Sequence, residues 1–245
     1  MKQRLLLLVC ALFLYIGMNA QNKITVAVAA NMQYAIEALK SAFNKQHKVQ
    51  IDVVLGASGK LTQQIIAGAP FDIFISADTA FPAKVQAAGM AVAGPKTYAQ
   101  GILVLWTARA DIKPDIQLLT GNKISHIAIA NPATAPYGTA AVNVMKKYKL
   151  YEKVAAKLVR GESITQASQY IASGNAEIGF TAKSIVIADA MKGKGHWVEI
   201  RQEDYAPIKQ AAVLLKDNAA ANEFYGFLFS AQAKRVFEEF GYIVR

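Results

Sequence analysis

Four times this chain runs from a short apolar stretch through small, polar or glycine residues directly into a helical pattern. The stretches are ITVAVAANM (24–32), IDVVLGASGKL (51–61), IAIANPATAPYGTA (127–140) and GESITQAS (161–168). Strand and helix alternating over short connections is the pattern of α/β layers, whose strands are covered on both faces and read as apolar runs. The strands expected on this basis are 23–29, 49–55, 71–76, 101–107, 124–130, 177–181, 196–200 and 209–215. From Tyr34 to Gln46, Ala35, Leu39, Ala42 and Phe43 recur at helical spacing. Gly68, Gly89, Gly121, Gly174 and Gly241 stand where a helix or turn should stop. No internal repeat or low-complexity linker interrupts the alternation.

A helix start carries free backbone N–H groups and the positive end of the helix dipole, so it attracts anions. Two of the four junctions lie before residue 60 and two after residue 130, so a ligand touching all of them would sit between two halves of the sequence. Asn31 either caps the helix it opens or turns its amide toward an oxyanion. Ser58 lies between Gly56 and Gly59, which let backbone approach a ligand closely, and its hydroxyl is a further donor. Val54 and Leu61 break the phosphate-binding P-loop pattern, and Lys60 breaks a G-x-S-x-G nucleophile elbow. Ser58 therefore reads as a donor. Tyr137, in Pro136-Tyr137-Gly138, either packs at a loop corner or presents its N–H. Ile164 has only its backbone N–H to offer.

Residues 1–20 read as an export signal to be removed near Ala20. Lys2 and Arg4 precede an apolar run from Leu5 to Ile16, followed by Gly17, Met18, Asn19 and Ala20. Cys10 lies inside that run as an ordinary apolar-region residue, so the remaining 225 residues hold no cysteine for a disulfide or a thiolate metal site. Net charge falls from +10 to +8 without Lys2 and Arg4. Lys146, Lys147 and Lys149 sit on a helix, and Lys192 and Lys194 in a glycine loop. No aromatic separates Lys192 from Lys194, and only Tyr148 lies among Lys146, Lys147 and Lys149, too little aromatic interleaving to point to nucleic acid. His47, His126 and His196 show no metal-ligand spacing. Asp72 and Asp78 are the one carboxylate pair that would suit acid–base work, although such residues more often cap turns.

Beyond these local readings, ITVAVAAN, GASGKLTQQI, AGAPFDIFISAD (67–78), NPATAPYG, EIGFTAKS and AQAKRVFEEFGY together resemble the periplasmic molybdate-binding proteins of ABC-type importers, within the type II periplasmic binding-protein group. The likeness runs in order along the whole chain after residue 20, and AGAPFDIFISAD is its most specific piece. It implies an α/β protein of two lobes with the ligand cleft between them, joined by crossover strands near 102–108 and 205–212. Lobe 1 would comprise 21–104 and 209–245, and lobe 2 105–208. The family's ligand contacts would fall on Asn31, Ser58, Tyr137 and Ile164. Asn31 stands where many members carry serine, and Ala182 stands where some carry a tyrosine.

The same resemblance implies a monomeric, non-enzymatic receptor in the periplasm. It would have no cofactor, and would capture molybdate or tungstate and pass it to a membrane permease. A tetrahedral dianion offers only acceptors, so an uncharged cage of donors would select it by size over the smaller sulfate. The rival readings are a receptor for sulfate or phosphate, a secreted hydrolase using Ser58 or the Asp72/Asp78 pair, and a structural surface protein.

Overall fold

Strand–helix alternation resolves into two five-stranded sheets in a computed structural model that describes residues 22–244; the expected export signal lies outside them. In chain order the elements are β1 (Lys23–Ala29), α1 (Ala35–Asn44), β2 (Gln50–Gly56), α2 (Ser58–Ile66), β3 (Ile73–Ile75), α3 (Ala80–Ala87), β4 (Lys96–Gly101) and β5 (Leu103–Thr107). There follow β6 (Ile127–Ala130), α4 (Pro136–Lys147), α5 (Tyr151–Val154), β7 (Leu158–Gly161), α6 (Ile164–Ala172), β8 (Ile178–Ala182) and α7 (Lys183–Val186). The chain ends with β9 (His196–Glu199), β10 (Ile208–Leu214), α8 (Ala219–Phe227) and α9 (Ala231–Glu239).

The first sheet has the order β2-β1-β3-β10-β4 and the second β7-β6-β8-β5-β9. In the first, β1 lies parallel to β2 and β3, while β10 runs antiparallel to β3 and β4. The second repeats this, with β6 parallel to β7 and β8, and β5 antiparallel to β8 and β9. The chain leaves the first sheet at Gly101, enters the second at Leu103, and returns through residues 200–207 to Ile208.

Side chains alternate across β1 with period two. Ile24, Val26 and Val28 point into a core with Leu39, Phe43, Phe224 and Phe237, while Ala27 faces Leu61, Ile65, Phe74 and Val85. The second sheet builds its own core around Trp106, Ile129, Met145 and Phe180. Emptying one such position, as in Phe74→Ala, costs about 3–5 kcal/mol.

Two strands differ from the expectation. β4 (KTYAQG) mixes polar with apolar residues, and β7 (LVRG) is four residues long and partly exposed. Both are edge strands, which need no continuous apolar run. Expected strand 71–76 shortens to Ile73–Ile75, and 101–107 starts at Leu103 because Gly101 and Ile102 carry the change of sheet. Gly68, Gly89, Gly174 and Gly241 end their helices with positive φ, whereas Gly121 follows a 3-10 turn in extended conformation.

Candidate anion site between the sheets

Each of the four junctions is shaped by the residues just past the end of its strand. β1 passes into a single 3-10 turn, Ala30–Met32, with Asn31 at its middle. The N-cap position belongs to Ala29 and Asn31 makes no capping bond, so the capping alternative is not what its side chain does. Its Nδ2 instead donates to Gln210 Oε1 (3.0 Å) and to the Tyr242 hydroxyl (2.9 Å). Ser58 is the first residue of α2, and its Oγ accepts from the Ala77 N–H at 3.0 Å. That bond occupies a lone pair and leaves the hydroxyl hydrogen to donate elsewhere.

In α4, Pro136 takes the first position, where its missing N–H is no loss, and Tyr137 the second. A β-carbon at Gly138 would overlap the Ala130 carbonyl oxygen, so this glycine seats α4 directly on the end of β6. Ser163 caps α6 by accepting from Gln166 N–H, and Ile164 begins the helix.

These starts converge. Asn31, Ser58, Tyr137 and Ile164 line one cavity of about 10 Å³, together with backbone and methyl groups of Ala29, Gly56, Ala57 and Ala77. Asn31 and Ser58 are each 1 % exposed, and among the described residues no carboxylate, lysine or arginine lines the space. Among the described residues, the backbone N–H groups of Ser58, Tyr137 and Ile164 have no protein acceptor. Asn31 Oδ1 is buried without a partner.

Contacts between the two halves close over the cavity. Gly59 N–H donates to the Thr134 carbonyl (2.9 Å), Thr165 Oγ1 to Gln33 Oε1 (2.9 Å) and Ser184 Oγ to the Asn31 carbonyl (2.8 Å). Lys60 and Glu162 form an exposed ion pair nearby. The Tyr137 phenol oxygen accepts from Gln210 Nε2 at 3.1 Å. It packs so closely on Gly101 that a β-carbon there would overlap it. Thus the phenol faces the crossing strands, leaving the backbone N–H at the cavity. Burial pushes the Tyr98, Tyr137 and Tyr242 phenols up, so all three stay neutral and usable as donors. Ala182 is buried at the end of β8, opposite Leu103.

The hydrolase alternative lacks its parts. Asp72 and Asp78 flank opposite ends of β3, and neither lines the cavity. Asp72 accepts from Thr25 N–H (2.7 Å) and Asn218 (3.2 Å). Asp78 accepts from Phe81 N–H (3.0 Å) and Ser76 Oγ (3.1 Å), and burial raises its pKa. His47 stacks on Phe43, His126 lies by Glu177, and His196 is on the exposed β9, so among the described residues no histidine accompanies Ser58. Among the described residues no three His, Cys, Asp or Glu side chains gather as a metal site.

Gln210, Tyr242, Ser184 and Thr165 belong to the site's surroundings and escaped the sequence reading. Only Gln210 carries a local signal, as a polar residue in the apolar run that follows Lys209 in β10, where it is fully buried.

A family model described as bacterial extracellular solute-binding protein matches residues 24–243. Over 225 residues the chain is 41% identical to the molybdate-binding protein ModA of Azotobacter vinelandii, covering 90% of this chain and 89% of that protein. It is 40% identical to ModA of Rhodobacter capsulatus over 91% of this chain and 89% of that protein. The solved periplasmic molybdate-binding protein of Azotobacter vinelandii superposes with a TM-score of 0.86 at 35% identity, over 91% of this chain and 99% of that one.

Proposed function

The chain belongs to the bacterial extracellular solute-binding proteins, and from that premise we propose that it captures molybdate in the cavity between its two sheets for an ABC importer. The observation that carries this reading is the donor set. Four strand–helix junctions meet at a space that is buried, uncharged and rich in unpaired N–H groups. The ModA relatives, at about 40% identity over nine-tenths of the chain, are molybdate-binding proteins.

Molybdate carries four equivalent acceptor oxygens and no hydrogen. The Ser58 hydroxyl, the Asn31 amide and the N–H groups of Ser58, Tyr137 and Ile164 together supply donors from both sides of the cavity. Hydrogen bonds to a charged partner contribute about 1.5–3 kcal/mol each, and a donor left unmade in a closed site costs a similar amount. An ion whose oxygens fall short of some donors, as in the smaller sulfate, is thereby disfavoured. A protonated anion is disfavoured because its hydroxyl hydrogen faces another donor. Tungstate shares the shape and charge of molybdate and is captured with it.

Each sheet with its helices acts as one lobe, and the lobes close by bending at Ile102 and in 200–207. The Gly59–Thr134 and Thr165–Gln33 bonds then form across the cleft. A monomer closed in this way is the form presented to a membrane permease in the periplasm.

Calorimetric titration of ligand-stripped protein with molybdate tests the reading. Saturation at one ion per chain is expected, with sulfate and phosphate failing to compete at equal concentration. Absence of saturable heat with both molybdate and tungstate overturns it. Ligand at 100 times its dissociation constant should also raise the unfolding free energy by about 2.7 kcal/mol.

A further inference from the structure

We infer that Gln210 is a positioning residue that sets which end of the Asn31 amide faces the anion, and that the two carboxamides turn together; this inference rests on the molybdate reading. Both groups are buried, Gln210 on β10 and Asn31 just after β1. As arranged here, Asn31 spends both amide hydrogens away from the cavity, on Gln210 Oε1 (3.0 Å) and the Tyr242 hydroxyl (2.9 Å). Its Oδ1 is left buried with no partner. An oxygen in that place repels an oxyanion. A usable Asn31 has to present its NH2 there.

Neither amide can turn alone. Turning Asn31 by itself sets its oxygen 3.0 Å from Gln210 Oε1, acceptor against acceptor. Turning Gln210 by itself sets its NH2 against that of Asn31, donor against donor. Turned together, the pair keeps every contact with the sense reversed, since the two ends of a carboxamide occupy the same envelope.

In the turned state Gln210 Nε2 donates to Asn31 Oδ1 and to the Tyr98 hydroxyl, which stays bonded to the Ser76 carbonyl (3.0 Å). The Tyr242 hydroxyl donates to Asn31 Oδ1 in place of the Asn31 carbonyl, which keeps its bond from Ser184. Gln210 Oε1 accepts from the Tyr137 phenol, 3.1 Å away across the two sheets. Only the Asn31 NH2 then lacks a partner, and the anion supplies one. The Tyr137 phenol thus has a task distinct from its N–H: able to accept or donate, it stays bonded to Gln210 in either orientation and so permits the turn.

The test is a double-mutant cycle on molybdate affinity with Gln210→Met and Asn31→Ser, each variant checked for folding by its thermal midpoint. A serine hydroxyl rotates freely and needs no amide partner to orient it. Gln210→Met should weaken binding at least about tenfold in the Asn31 protein and by less than about threefold in the Asn31→Ser background. Equal losses in both backgrounds, or none in the first, overturn the inference. A wild-type protein that does not bind molybdate defeats the functional reading instead.

A second measurement holds even if Asn31→Ser binds too weakly to titrate. In wild-type protein the side-chain NH2 resonances of both Asn31 and Gln210 should shift on saturation with molybdate. Movement of the Asn31 signal alone, with Gln210 unchanged, overturns the coupled turn.

Discussion

The two sheets bring different things to the cavity. From the first come two side chains, the Asn31 amide and the Ser58 hydroxyl, with one backbone group, the Ser58 N–H, on turns that come directly after β1 and β2. From the second come backbone groups, the first-turn N–H of α4 and α6, carried by residues whose side chains are turned to other work. Tyr137 spends its phenol on Gln210, and Ile164 packs in the second core. Residue identity should therefore matter on the first side, and backbone position on the second.

The severest challenge to that contrast is Asn31→Asp, which sets a buried carboxylate against a dianion. A cost of about 3–5 kcal/mol is expected, enough to abolish measurable molybdate binding by calorimetry. Ser58→Ala removes one hydrogen bond to a charged oxygen and should cost about 1.5–3 kcal/mol of binding in the same titration; it also leaves the buried Ala77 N–H without its acceptor, which should lower stability by about 1–3 kcal/mol. On the second side the comparable damage should come from the backbone. Gly138→Ala pushes α4 off the Ala130 carbonyl and should lower stability by about 1–3 kcal/mol in denaturant unfolding, with affinity falling alongside. Ile164→Val keeps the N–H. It should cost about 0.5–1.5 kcal/mol of stability and leave molybdate affinity within about a factor of three. If Ile164→Val hurts binding as much as Ser58→Ala, the contrast is wrong.

The smallest effect is a response to acid. Asp204, buried in the return segment, pairs with Lys147 of α4 (2.7 Å) and also meets Tyr148 (2.7 Å) and Arg201 (3.2 Å). The Lys147 hydrogen bond leads in drawing its carboxyl down to about 2, against the opposing effect of burial. A depressed folded value means stabilisation that is complete above the unfolded value near 4 and is lost as pH falls from about 4 to 2. Asp78 beside β3 has the opposite sign, because burial raises it, so its cost is felt at neutral pH and relieved by acid. Thermal midpoints taken between pH 5 and pH 2.5 should fall more steeply for wild type than for Asp204→Asn.

Much of this was legible because a strand running at once into a helix start is a local event. β1 announces itself with seven residues whose interior is apolar but for Thr25, and reading where each helix begins makes Asn31, Ser58, Tyr137 and Ile164 candidates, with the family resemblance implying them as the ligand contacts. β4 and β7 were not legible, since an edge strand with Lys96, Gln100 or Arg160 in it has no apolar signature to read. The surroundings of Asn31 were hidden for another reason. Its partners Gln210 and Tyr242 lie 179 and 211 positions further along, and nothing local marks residues that meet only after both sheets have assembled.

That separation also imposes an order of events on a growing chain. All five strands of the second sheet lie between Leu103 and Glu199, so they leave the ribosome as one uninterrupted block. The first sheet waits for β10, which inserts between β3 and β4. A chain cut after residue 207 would keep one complete sheet and leave the other with a gap beside β3.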